Sequence, residues 1–119
     1  MRYLLLCCFD ENKWERIPEL QRNAIMREYG ELLKSLDKSG QHLASAQLQS
    51  RATAATVRAG NGKPAVTDGP FAETKEHLGG YHLIECKNLN EAISIAKRIP
   101  TIPFGGAVEV RPLVQAQPQ

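Results

Sequence analysis

The apolar residues of this chain repeat with two different spacings, and each spacing predicts a different element. Residues 3–9, YLLLCCF, are continuously apolar between charged ends, which predicts a strand covered on both faces. Residues 17–36 instead place apolar side chains three or four positions apart, as one face of a helix requires. Pro18 suits the first turn of such a helix, and Gly40 suits its end. The apolar positions of this predicted helix are Ile17, Leu20, Ala24, Ile25, Leu32, Leu33 and Leu36.

The middle of the chain has the pattern of short strands. Residues 42–48, HLASAQL, alternate between apolar and polar side chains, and residues 53–58, TAATVR, are rich in β-branched residues. The sequence GNGK at 60–63 then supplies an Asn-Gly turn before a further short strand at 65–67. We therefore predict a strand followed by a β-hairpin.

The last third predicts a strand, a helix and a final strand. Residues 81–86, YHLIEC, follow two glycines and are apolar on both faces. Asn88 is typical of a helix N-cap, and Glu91 completes the pattern of a capping box. The apolar stripe of this helix is Leu89, Ala92, Ile93, Ala96 and Ile99, with Pro100 ending it. Residues 107–113, AVEVRPL, predict a last strand whose Pro112 indicates an edge or an end.

The order of these elements predicts an α+β fold. Strand, helix, strand, inserted hairpin, strand, helix and strand is the split-βαβ or ferredoxin-like order, an antiparallel sheet with both helices on one face. We expect a single domain over residues 1–113 and a frayed tail at 114–119. Because the first strand is apolar on both faces, something must cover the second face. A twofold dimer that packs sheet on sheet is the favoured explanation, and a folded-over hairpin is the alternative.

Composition and charge exclude several classes of protein. The chain has 119 residues, 42% hydrophobic and 24% charged, which is typical of one soluble globular domain. The net charge of +2 is too small to predict direct nucleic-acid binding. No apolar stretch reaches the roughly 20 residues of a membrane span. Three cysteines give no disulfide framework, so we expect a reducing, cytoplasmic location.

The stretch TDGPFAETKE at 67–76 concentrates the candidate chemistry. Asp68 can bond the backbone just ahead, while Gly-Pro shapes a turn, so the whole stretch can be explained as a structural turn. The functional interpretation is that Asp68, Glu73 and Glu76 surround Lys75 in a cleft, where crowded carboxylates supply a general acid or base. Phe71 is expected to anchor the loop in the core rather than to stack on a ligand.

The histidines and cysteines are weaker candidates. His42, His77 and His82 lie at or near strand ends, and we expect His82 to be a sheet histidine with its hydrogen bonds satisfied. Their spacing matches no metal motif, so we predict no metal and no cofactor. Cys7 and Cys8 lie in the most apolar strand, where burial raises a thiol pKa, and only Cys86 is expected to be accessible.

Two segments carry a resemblance to a known family. VTDGPFAETKEHLGGYHLIE at 66–85 resembles the signature of the DGPF family within the YCII-related proteins, and ATAATVR at 52–58 resembles the segment before it. The opening MRYLLL, the helix end near Gly40 and the ending GAVEVRPL also fit, so the resemblance covers nearly the whole chain. It implies a small bacterial protein with a dimeric α+β barrel and a largely unassigned function, often encoded beside sigma factors of the extracytoplasmic-function type. Related proteins have been proposed as enzymes with a His-Asp dyad, but the first predicted helix here has no His.

Two classes of function follow from the sequence. The first is binding of a small polar ligand, with or without acid-base chemistry, in a cleft near the loop. The second is a regulatory module that interacts with a sigma factor. In the first class the predicted ligand-binding residues are Asp68, Phe71, Glu73, Lys75, Glu76 and His42. The catalytic candidates among them are Asp68, Glu73 and Glu76.

Overall fold

The computed structural model describes residues 1–115 and has an α+β fold with three α-helices. Four strands form an antiparallel sheet in the order β2-β5-β1-β6, and two more form a separate sheet. Three predicted elements, the helix after β1, the inserted hairpin and the helix before the last strand, are thus confirmed. The bounds are β1 Arg2–Phe9, α1 Glu11–Arg16, α2 Glu19–Lys38, β2 His42–Gln47, β3 Ala55–Gly60, β4 Lys63–Asp68, β5 His77–Glu85, α3 Leu89–Ala96 and β6 Ala107–Pro112.

The core lies between one face of the larger sheet and the helices α2 and α3. Strand alternation turns Tyr3, Leu5 and Cys7 of β1 to this face, where all three are buried. Each fully buried apolar side chain stabilises the fold by about 1.5–3 kcal/mol. Their buried partners from the other elements are Leu32, Leu36, Ile84, Cys86, Ala92, Ile95, Ala96 and Ile99. Cys86 is therefore not the accessible thiol that we predicted.

A short helix that the sequence pattern missed connects β1 to α2. The Asp10 carboxylate caps α1 by accepting a hydrogen bond of 2.9 Å from the Asn12 N–H. Pro18 then occupies the N-cap position of α2, so the predicted helix begins at Glu19 rather than at Ile17, and α1 is an additional helix before it. Leu20, counted in the apolar stripe, is 83% exposed. The first turn of α2 therefore projects beyond the core.

The N-terminus of α3 confirms half of the predicted capping box. The Asn88 side chain accepts a hydrogen bond of 2.9 Å from the Glu91 N–H. The Glu91 carboxylate does not return this bond to Asn88 but accepts one of 2.8 Å from the Gln41 amide. It therefore ties the start of α3 to the residue before β2. Inside the helix, Ile95 rather than Ile93 is buried.

The hairpin β3–β4 projects from the body of the protein. Its two-residue turn uses Asn61 at φ 51° and Gly62 at φ 80°, the positive dihedrals that an Asn-Gly hairpin turn requires. Val57 and Val66 face each other across the hairpin and are 63% and 67% exposed. The hairpin therefore does not cover the second face of the larger sheet, where Leu4 and Leu6 remain half-buried.

Two further expectations concern the C-terminal tail and membrane-spanning helices. Most of the predicted frayed tail lies outside the described residues, which end at residue 115. None of the helices up to that point has both the length and the apolar character needed to cross a membrane.

Candidate functional site

A cleft of about 410 Å³ opens between the larger sheet and the helices α1 and α2. Gly80 of β5 allows β2 to close one side of it, since a Cβ there would lie 2.8 Å from the Ala46 carbonyl oxygen. The residues that line the cleft are Cys7, Cys8, Phe9, Glu11, Trp14, Glu15, Met26, Tyr29, Leu33, Ser45, Ala46, Gln47, Leu48, Gln49, Ser50, His77, Gly79, Gly80, His82 and Thr101. A volume of this size holds a small organic molecule.

His77, the first residue of β5, lies at one end of the cleft and is buried. Its Nδ1 lies 3.1 Å from the Glu11 backbone nitrogen and 3.0 Å from Nη1 of Arg51. An amide N–H and a guanidinium can only donate, so Nδ1 accepts both bonds. This pattern assigns the hydrogen of the neutral ring to Nε2, which is therefore a hydrogen-bond donor.

Glu11 fixes the position of Arg51 beside His77. Its carboxylate accepts hydrogen bonds from the Ser50 hydroxyl at 2.9 Å, the Arg51 N–H at 2.8 Å and Nη1 of Arg51 at 3.2 Å. Burial by itself raises the pKa of Glu11, but the bonds from Arg51 and Ser50 and the charge of Arg51 outweigh it, and the net pKa is lowered. We name Glu11, Ser50, Arg51 and His77 the His77 cluster.

His82 lies deeper in the cleft, on the face of β5 that meets the helices. Its ring stacks on Tyr29 with centroids 5.8 Å apart and planes 30° apart. Its Nδ1 is buried and has no hydrogen-bond partner. Burial lowers the pKa of His82, and the nearby His42 lowers it further, so the ring is neutral. The prediction of a histidine with satisfied hydrogen bonds is therefore wrong for Nδ1.

Cys7 and Tyr29 are also uncharged at neutral pH. Burial raises the pKa of the Cys7 thiol, and a hydrogen bond with Tyr29 only partly offsets this. Burial also raises the pKa of the Tyr29 hydroxyl. A thiol in this state is a poor nucleophile, because the thiolate is the reactive form. The deep part of the cleft therefore offers neutral hydrogen-bonding groups.

The loop that the sequence singled out lies outside the cleft lining. Asp68, Glu73, Lys75 and Glu76 are exposed, and within residues 1–115 Lys75 forms no ion pair. The structure does not bring these side chains into the cleft, although the loop leads directly into His77. Their predicted role in ligand binding or catalysis stays a prediction.

Two expectations about how this loop is held are corrected. Phe71 is 76% exposed rather than anchored in the core, with the Arg58 guanidinium 5.8 Å from its ring centroid. The turn is held by the Gly69 N–H, which donates to the Ala54 carbonyl at 2.7 Å, and by the Thr56 hydroxyl, which donates to the Gly69 carbonyl at 2.7 Å. These bonds, rather than the predicted Asp68 cap, therefore link the turn to the first strand of the hairpin.

His42, the remaining predicted ligand-binding residue, lies beside the cleft. Its Nδ1 is 2.6 Å from the Asp37 carboxylate, and its Nε2 is 2.9 Å from the hydroxyl of Ser45, which lines the cleft. Both ring nitrogens are therefore occupied by protein groups. Among the residues that the structure describes, no three His, Cys, Asp or Glu side chains are grouped closely enough to hold a metal ion.

The sequence pattern did not single out Glu11 or Arg51. Glu11 stands at the end of an apolar run, and Arg51 lies between two predicted strands, so neither position has a periodicity or a motif around it. The available signal was the pair Ser50-Arg51 before a β-branched segment, since a serine at such a position can cap a short turn. Ser50 does so here, because its hydroxyl oxygen accepts a hydrogen bond from the Ala52 N–H. That signal gives no indication of what the turn contacts.

The fold and the cleft define a small α+β protein whose sheet and helices enclose a ligand-sized site. The model of the YCII-related domain matches residues 1–117, and the chain belongs to that family. It is 36% identical to the uncharacterized protein R00369 of Rhizobium meliloti (strain 1021), over 99% of this chain and 96% of that protein. The resemblance to the YCII-related proteins is thereby confirmed, and the biochemical function of the family is uncharacterized.

Proposed function

We propose that this protein binds a small molecule in the cleft, with His77 and His82 as the principal polar groups. The observation that carries the proposal is the position of His77. Its Nδ1 is held by two donors, while the ring itself lines a cleft of about 410 Å³. A ring whose tautomer is fixed on one side presents a defined donor on the other.

The same arrangement supports acid-base chemistry as an extension of binding. A hydrogen on Nε2 can be donated to a ligand oxygen on which negative charge develops. The residues that orient the donor are then Glu11, through its backbone N–H, and Arg51, through its guanidinium, since both contact Nδ1 of His77. The interpretation drawn from the sequence, in which Asp68, Glu73 and Glu76 act as the acids or bases, needs a ligand that binds at the exposed loop.

Binding experiments with the single tryptophan distinguish the cleft from the loop. Trp14 lines the cleft and is the one tryptophan of the chain, so its fluorescence reports a bound ligand directly. A fragment library screened this way should yield ligands whose binding is lost in His77→Ala and preserved in the matched loop variants Glu73→Gln and Glu76→Gln. Ligands that are lost only in the loop variants would overturn the proposed site.

We further propose that the protein is a cytoplasmic homodimer with a ferredoxin-like fold. The strand order β2-β5-β1-β6 supports the fold, since it is the order of a split-βαβ sheet. The second face of this sheet carries the half-buried apolar residues Leu4, Leu6, Tyr81 and Leu83, and the edge strand β6 adds Glu109 and Arg111 to it. Packing two such faces against each other removes this surface from water and produces the dimeric barrel.

An interaction module that binds a sigma factor is the second candidate. The observation in its favour is the projecting hairpin, where Val57, Val66 and Phe71 are exposed together with Arg58. Exposed apolar residues beside a charge are typical of a protein-binding surface. Val57→Lys and Val66→Lys should then abolish capture of a purified sigma factor and leave small-molecule binding in the cleft unchanged. Capture that survives both changes would count against the module.

A further inference from the structure

The charges around the cleft restrict the kind of molecule that it can hold. The lining contains two carboxylates, Glu11 and Glu15, and within residues 1–115 no lysine or arginine lines it. The guanidinium of Arg51, which contacts the cleft residue His77, already binds the Glu11 carboxylate and Nδ1 of His77. An anionic ligand would therefore lose its hydration without gaining a cation from the cleft lining, which is costly.

The wall of the cleft is largely apolar. Phe9 and Trp14 meet edge to face with ring centroids 6.1 Å apart and planes 84° apart, which gives an aromatic corner at one side. Met26, Leu33 and Leu48 extend the apolar lining. Burial of a hydrocarbon or aromatic group against these residues supplies the main part of the binding free energy.

The polar side chains in the deep part of the cleft are neutral. Burial lowers the pKa of His82 and raises the pKa of Tyr29 and of Cys7, so each of these side chains is uncharged near pH 7. His77 offers an N–H at Nε2, because its Nδ1 accepts two hydrogen bonds. A donor at this point matches an acceptor oxygen on the ligand and repels an ammonium group. Of the two carboxylates, Glu11 is already paired with Arg51, and Glu15 is exposed to solvent.

We infer that the cleft binds an uncharged, largely aromatic or apolar molecule whose carbonyl oxygen accepts a hydrogen bond from Nε2 of His77. This inference rests on the proposed function and specifies its ligand class. It departs from the polar ligand that the acidic loop predicted, since the loop carboxylates do not line the cleft.

A matched set of aromatic probes tests the ligand class. Benzamide, benzoate and benzylammonium each contain one benzene ring and differ in charge. Toluene is uncharged like benzamide but has no carbonyl group. Each is titrated at pH 7.5 while Trp14 fluorescence and the backbone amide shifts of the cleft residues are followed. Benzamide should bind about tenfold more tightly than benzoate and than benzylammonium, a ratio that corresponds to 1.4 kcal/mol.

Variants of His77 test the hydrogen bond itself. His77→Phe keeps an aromatic ring without the donor. It should weaken the binding of benzamide about three- to tenfold and leave the binding of toluene unchanged. His77→Gln restores an N–H donor and should recover part of the loss. Circular dichroism of each variant confirms that it is folded. If His77→Phe does not fold, the ratio of benzamide affinity to toluene affinity is compared between His77→Gln and the natural protein, and this comparison tests the hydrogen bond.

The outcomes separate this inference from the proposed function. If benzoate or benzylammonium binds most tightly and shifts the cleft amides, the ligand class is wrong and the cleft remains the site. Equal weakening of benzamide and toluene in His77→Phe overturns the hydrogen bond. If none of the four probes shifts the cleft amides, while fragments from the library bind at the loop, both the inference and the proposed function fall.

Discussion

At the scale of single residues, one buried nitrogen of His82 that has no hydrogen-bond partner affects the stability of the fold. Its Nδ1 has no hydrogen-bond partner, its ring is covered by Tyr29, and His42 lies nearby. Protein interiors rarely leave a polar atom unpaired, because the lost hydration is not replaced. The site retains this imidazole at a cost in stability, which is consistent with a role in holding a ligand.

The first prediction concerns the pH dependence that follows from His82. Its folded-state pKa lies below the ordinary value of 6.5, so the unfolded chain takes up the proton first as the pH falls. The free energy of unfolding should therefore decrease as the pH drops from about 6.5 towards the folded-state pKa. Urea unfolding at a series of pH values measures this slope. In His82→Phe the slope in that window should be reduced, and an unchanged slope would contradict the assignment.

Gly69 gives a second prediction at the same scale, with Gly30 as its control. Gly69 has φ 93° and Gly30 lies within α2, and a Cβ at either position would meet no atom within 4 Å. Gly69→Ala should destabilise by about 1–2 kcal/mol through backbone strain alone. Gly30→Ala should instead stabilise by about 0.5–1 kcal/mol, since alanine favours a helix interior. Chemical denaturation of both variants checks the difference, and equal effects would show that the turn is unstrained.

At the scale of elements, the close contact between β2 and β5 shapes the cleft. The two strands pair from His42 to Gln47, and the close approach at Gly80 brings the end of β2 beside the cleft. A register shift near Gly79 then allows Cys8 to pair with Leu78 and Phe9 with His77. This irregularity determines the position of the His77 side chain relative to β1 and so places it at the end of the cleft.

Substitution of the two glycines in β5 tests this account. Gly80→Ala would place its Cβ 2.8 Å from the Ala46 carbonyl oxygen, whereas Gly79→Ala would place it 3.8 Å from the Cys7 carbonyl oxygen. We expect Gly80→Ala to destabilise by about 1–3 kcal/mol and to increase amide exchange in β2. Gly79→Ala should cost clearly less. If both variants unfold at the same denaturant concentration, the close approach at Gly80 is not a constraint.

At the scale of the whole molecule, the second face of the sheet is apolar along its central strands β1 and β5 and is suited to a partner. Neither the helices nor the hairpin covers it within residues 1–115, and Leu4 and Leu6 of the central strand stay half-buried. Faces of this kind mark sites of association in soluble proteins. A second copy of the chain supplies a surface with the same shape and chemistry.

The dimer prediction is tested by light scattering of the protein and of two lysine variants. The natural chain should have about twice the mass of one 13.2 kDa protomer at micromolar concentration. Leu6→Lys places a charge in the proposed contact and should give a folded monomer, whereas Val57→Lys on the hairpin should remain dimeric. A natural chain that scatters as a monomer would refute the dimer and leave the second face without an explanation.

The local architecture of this protein could be predicted from the sequence. The continuous apolar run of β1, the helical spacing before Gly40 and the Asn61-Gly62 turn each depend on residues that are neighbours along the chain. The N-cap at Asn88 is of the same kind, because its partner Glu91 is three positions away. The α+β class follows from the order of such elements. These features are determined by steric and hydrogen-bonding preferences that act over a few residues.

The cleft was decided only by the tertiary structure. Glu11, Arg51 and His77 come from three separate segments, and their hydrogen bonds exist only when β1 and β5 pair and the turn after β2 folds back. The same packing left Phe71 exposed and deprived His82 of a partner for Nδ1, against the local expectation in both cases. Burial is a property of what surrounds a side chain in space, so residue type and spacing along the chain could not determine it.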